Sequence, residues 1–100
     1  MTVTREEMAT KVDVTDWFSL RAHLERGGVI VIDNLLDLVE VALKVANDDS
    51  KAIEGWITAG QIGKPTAQQI EKWDAEKGKQ FLCLIVSPFV LVQEKLPESG

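Results

Sequence analysis

The chain has 100 residues, of which 45% are hydrophobic and 27% charged, the composition of one folded domain rather than of a disordered segment. Its net charge is −5, and the 11 Lys and Arg are scattered without a basic stripe, which argues against nucleic-acid binding. Its one cysteine, Cys83, excludes an intramolecular disulfide and fits a reducing compartment.

Residues 1–12 have helical composition but no apolar stripe, and no apolar core of a signal peptide. They are read as a flexible or loosely docked lead-in. The stretch DVTDWFSLRAHLERGG then predicts a helix. Asp13 or Thr15 caps its start, Gly27-Gly28 ends it, and Trp17, Leu20 and Leu24 form one stripe. VIVID, Val29 to Asp33, is β-branched and reads as a buried strand.

The next stretch, LLDLVEVALKVANDDS, predicts a helix over residues 35–47. Its apolar residues cover roughly 220° of the helical wheel, and Asp37, Glu40, Lys44, Asn47 and Asp48 fill the narrow remainder. A helix so apolar is buried on more than one side, so it is expected to be the central helix of the core. Glu40, four residues before Lys44, predicts an exposed ion pair along it. Asp48, Asp49 or Ser50 then caps a helix that runs to Gly60, with Ile53, Trp56 and Ile57 on one face. QIGKP is a connector, and Thr66 and Gln69 form a capping box for a helix over 66–77, closed by Gly78.

The run FLCLIVSPFVLV, Phe81 to Val92, is too short at about 12 residues to span a bilayer as a helix. It predicts strands over 81–86 and 89–93, buried on both faces. Ser87-Pro88 reads either as a hairpin turn or as a bend in one long strand. The bend is preferred, because a two-residue hairpin favours Asn-Gly or Gly-x. Residues 95–100 are polar and read as a disordered tail.

The sequence therefore predicts an α+β fold. A single globular domain over 13–94 has four helices around a two- or three-stranded sheet. Helices 49–59 and 66–77 are expected to cross as a pair. The helical connection between strands 29–33 and 81–86 allows them to run parallel, with a right-handed crossover in that case.

Residues that carry chemistry are few. GQIGKPT resembles a phosphate loop, but Thr58 stands where that loop needs glycine and Pro65 separates Lys64 from Thr66. It is read as a plain connector. Asp16, Ser19 and His23 share one helix face, yet three residues on one helix supply neither a pocket nor an oxyanion hole. One His and one Cys cannot build a structural zinc site, and NDDSKAIEGW does not match a calcium loop. No catalytic, cofactor-binding or metal-ligating residue is assigned, and no cofactor is expected. The remaining interaction or ligand candidates are Asp37, Asp48, Asp49, Gln61, Trp56 and Trp73. The tryptophans read first as core anchors, and second as walls of a groove beside the 61–65 connector.

LDLVEVALKVANDD, Trp56 with Gly60, Trp73, and PFVLVQE from Pro88 to Glu94 together resemble the bacterial domain-of-unknown-function family 2288. The resemblance runs from about Trp17 to Glu94. The family pattern often carries Trp after the proline, where this chain has Phe89. That change is conservative if the position is core. The resemblance implies no activity, substrate or cofactor.

The functional expectation is a small cytoplasmic, non-enzymatic interaction or regulatory module. So little sheet beside so apolar a C-terminal run predicts a homodimer formed through that strand. The alternative is a small ligand-binding protein or enzyme with its site at a dimer cleft near the acidic helix ends. A basic protein partner for the acidic face is a third expectation; neither nucleic acid nor membrane is expected as a partner.

Overall fold

The computed structural model describes residues 4–76, 78–86 and 89–95. In chain order the elements are α1 (Arg5–Ala9), β1 (Asp13–Asp16), α2 (Trp17–Leu24), β2 (Val29–Ile32), α3 (Leu38–Ala46), α4 (Ser50–Thr58), β3 (Ile62–Gly63), α5 (Ala67–Ala75), β4 (Gln80–Val86) and β5 (Phe89–Glu94). The α+β class is as the sequence predicts, with more sheet. Five strands lie in the order β1-β4-β5-β2-β3.

The sheet is mixed. β4 pairs antiparallel with β5, from Phe81 opposite Glu94 to Val86 opposite Phe89. The chain thus reverses between Val86 and Phe89, which corrects the expected bend in one long strand; residues 87 and 88 themselves lie outside the described residues. β2 runs parallel to β5, with Val29 opposite Val90, and does not pair with β4. The parallel partner of 29–33 is therefore the second half of the apolar run, not the first.

Side chains alternate across a strand, so each strand feeds two cores. Leu84, Leu91 and Ile32 face α1, α3 and α4, where they pack with Met8, Leu38, Val41 and Ala42. Phe81, Val90, Val92 and Val29 face α2 and α5, where they pack with Trp17, Leu20 and Trp73. α4 and α5 hence cover opposite faces of the sheet rather than crossing as a pair. A sheet buried on both sides needs strands apolar at every position, which is why β4 and β5 read as a continuous apolar run.

Side-chain caps set several of the boundaries. Asp16 Oδ1 accepts from the Ser19 amide at 2.9 Å, so α2 starts at Trp17, and Asp13 to Asp16 are free to form an edge strand against β4. Asp37 caps α3 by accepting from the Val39 amide at 3.0 Å. The helix expected from residue 35 therefore starts at Leu38, and Leu35 is left 86% exposed in the preceding turn. Thr66 and Gln69 form the predicted capping box on α5.

α3 is central as predicted: α1 and α4 flank it and the sheet lies beneath. Residues 5–9, read as part of a loosely docked lead-in, form a helix that buries Met8 in the same core. Of the expected tail, residues 96–100 lie outside the described residues.

Candidate functional site

The acids of the central helix are engaged in structural roles. Arg5 on α1 reaches both Asp37 and Glu40, the latter at 3.0 Å. Burial opposes the Asp37 charge, but the Arg5 guanidinium and the Val39 amide outweigh it and hold the carboxyl below its usual range. Glu40 thus pairs with Arg5 instead of the expected Lys44. Lys44 Nζ lies 3.5 Å from Asp49 Oδ2. Asp49 Oδ1 caps α4 through the Ala52 amide at 3.2 Å.

Asp48 holds a different post from the predicted N-cap. Its φ is 57°, its amide donates to Val45 O at 3.2 Å, and the Asp49 amide donates to Lys44 O at 2.9 Å. These two bonds make a Schellman closure of α3, with Asp48 in the left-handed position where glycine is favoured. Asp37 and Asp48 lie just beyond the two ends of a nine-residue helix, about 16 Å apart at 1.5 Å rise per residue. They do not converge on a common ligand.

The two tryptophans are also separated. Trp56 packs into the α3–α4 core, and Trp73 is buried on the other face of the sheet. Trp73 sits edge-on to Trp17 and to Phe81, at centroid distances of 5.1 and 4.9 Å. Its indole donates to Glu94 Oε1 at 3.1 Å, and that of Trp17 donates to Asp74 Oδ1 at 2.6 Å. Trp73 is a core anchor, and the two residues do not wall one groove.

Asp16 and Ser19 are joined by a cap, and the bonds from Ser19 hold the Asp16 carboxyl below its usual range. Cys83 is half-buried; burial first, then the nearby Asp13 charge, pushes its thiol up and makes it a poor nucleophile.

Of the six candidates, Gln61 alone lines a cleft of about 260 Å3 between the end of β2, β3 and the start of α5. Around it stand Val31, Asp33, Lys64, Thr66 and Gln69. Gly60 at its rim has φ 74°, which lets the chain leave α4 and turn into β3. The GQIGKPT segment, set aside as a connector, is therefore a wall of the cleft. A second concavity of about 160 Å3, lined by Ile30, Ile53, Ile57, Ile62, Gly63 and Phe89, shares Ile62 and Gly63 with the first. None of its residues is charged. Sequence reasoning placed a groove beside the 61–65 connector but gave it the wrong walls, because β3 is two residues long and leaves no periodic signal.

A family model described as "Protein of unknown function (DUF2288)" matches residues 3–94. The chain belongs to the DUF2288 family. The NMR solution structure of PA1075 from Pseudomonas aeruginosa is similar over 93% of this chain and 85% of that one, with a TM-score of 0.79 and 26% identity. No curated protein matches. Phe89, which follows the proline, is not at a core position: it is 42% exposed and lines the apolar groove.

Proposed function

We propose that this DUF2288 domain is a small non-enzymatic interaction module of the bacterial cytoplasm that works as a homodimer. The observation that carries the reading is a pair of exposed apolar side chains beside the uncharged groove. Ile57 and Phe89 are 56% and 42% exposed and border that groove, while Ile85, 58% exposed, stands at the same hairpin end on the opposite face of the sheet. Apolar surface gathered in one place marks an interaction site more than the same residues scattered singly.

A second copy is the occupant favoured by charge. Two chains of net charge −5 repel wherever acids face each other, and this end offers a surface without them. A two-fold pairing would also set each copy's hairpin end against the same patch of the other. Main-chain pairing is restricted. β5 is flanked by β4 and β2, and the outer edge strand β1 carries Asp13 and Asp16, which would meet like charges in a partner. The association is therefore through side chains, with the outer edge of β4 beyond its β1 pairing as the accessible backbone. A basic protein partner is less favoured, since Arg5 already offsets Asp37 and Glu40 on the acidic stripe.

Sedimentation equilibrium at micromolar concentration tests the reading. A dimer that persists in high salt is expected. A species of only 11.1 kDa overturns it.

A further inference from the structure

The 260 Å3 cleft carries a second inference, independent of self-association. Val31 contributes apolar surface, and the polar groups are Asp33, Gln61, Lys64, Thr66 and Gln69. Their hydrogen bonds within the protein leave a definite remainder. One Asp33 oxygen, Oδ1, accepts from the Leu35 amide at 2.8 Å. Neither Asp33 nor Lys64 is in an ion pair among the described residues. Gln69 Oε1 accepts from the Thr66 amide at 2.9 Å, which leaves the Gln69 NH2 donors. Thr66 Oγ1 accepts from the Gln69 amide at 3.1 Å and keeps its own proton to donate. Both backbone groups of Gln61 are used, the amide to Trp56 O at 2.9 Å and the carbonyl from Asp33 N at 2.8 Å. Its side-chain amide has no protein partner among the described residues.

The walls thus offer one carboxylate, one ammonium and spare carboxamide groups over an apolar floor. A phosphate is disfavoured because Asp33 repels it, and a cation because Lys64 does. A ligand carrying both charges satisfies both walls. The cleft is also smaller than the roughly 300–1,000 Å3 of sites for drug-sized molecules. We propose that the cleft binds a small zwitterion of the α-amino-acid class. Its ammonium faces Asp33, its carboxylate faces Lys64 and Gln69, and its side chain rests on Val31.

The test is an amide NMR titration of the full 15N-labelled chain with the standard L-amino acids, each tried singly. At least one is expected to bind with a dissociation constant of about 1 mM or tighter, shifting residues 31–33, 60–66 and 69. Asp33→Asn and Lys64→Gln should each weaken it by about tenfold or more, in a protein whose remaining spectrum is unchanged. The N-acetyl and amide forms of the binding amino acid, each lacking one charge, should lose affinity similarly on the unaltered chain. That arm stands even where a variant fails to fold. No shift with any amino acid at about 10 mM overturns the proposal. Equal binding of acetate or inorganic phosphate overturns it too, as does binding that neither loss of charge alters.

Discussion

The indole N–H of Trp73 and the ammonium of Lys79 meet on the same oxygen of Glu94, each at 3.1 Å. This joins the last turn of α5 to the end of β5. Burial works against the Glu94 charge, but the two donors outweigh it and hold the carboxyl below its ordinary value of 4.5. A carboxyl depressed in the folded state contributes stability above its unfolded value and loses it as pH falls through the folded one. Glu94→Gln should therefore cost on the order of 1–2 kcal/mol at neutral pH and much less in acid. Urea denaturation at the two pH values reads the difference; an equal loss at both would contradict it.

Trp73 itself should be the costliest single truncation on the α2–α5 side. It is fully buried and packs edge-on to two aromatic rings. Trp73→Ala is expected to lose about 3–5 kcal/mol, a large share of the stability of a small domain. Trp73→Phe keeps the ring packing and loses the bond to Glu94, so about 1–2 kcal/mol is expected. Denaturation midpoints of the two variants should rank in that order.

On the other side of the sheet, Gln93 is a buried polar residue, 7% exposed. Its Nε2 donates to Asp33 O at 3.0 Å and to Leu36 O at 2.7 Å, clamping the turn between β2 and α3. Gln93→Met preserves volume and leaves both carbonyls without that donor. A loss of about 1–3 kcal/mol is expected, with faster amide exchange through residues 34–39 than elsewhere.

What the sequence made legible follows from signal length. α3 announces itself by nine residues of wheel pattern, and the capping box by two residue types at a fixed spacing. β4 and β5 are visible as an apolar run, though not their antiparallel pairing, because Ser87-Pro88 lacks a hairpin signature. β1 was hidden by its composition: in DVTD, Val14 is the only strongly apolar residue and the acids look like caps. Asp16 is in fact both, the end of the strand and the cap of the next helix. Asp49 was legible as a cap, but Asp37 was read inside the helix rather than as its cap or as a partner of Arg5, since a pair 32 residues apart needs the docking of α1. The cleft was the least legible feature, for it is built where a two-residue strand, a connector and a helix start meet.

Asp48 offers a test of whether an acid near a helix end is structural. It adopts φ 57°, a conformation that costs most L residues about 1–2 kcal/mol and Asp rather less. Glycine takes it freely. Asp48→Gly should therefore stabilise the domain by up to about 1 kcal/mol and leave dimerisation unchanged, as read by thermal denaturation and sedimentation. A destabilised variant would mean that the Asp48 side chain makes a contact the Schellman closure does not require.

The apolar end is tested most directly through Phe89, whose ring lines the groove yet is not buried in either core. An Asp there places a charge where a second copy would desolvate it, a cost of several kcal/mol in the dimer. In the monomer the same carboxylate remains partly in water, so the folded chain should lose about 1 kcal/mol or less at this surface position. Phe89→Asp is thus expected to sediment as a folded monomer with an unchanged far-ultraviolet dichroism spectrum. Val14→Asp, on the guarded edge of β1 and 50% exposed, supplies the contrast and should leave the dimer intact. If Val14→Asp dissociates the dimer and Phe89→Asp does not, the interface lies along β1 and the hairpin end is not its seat.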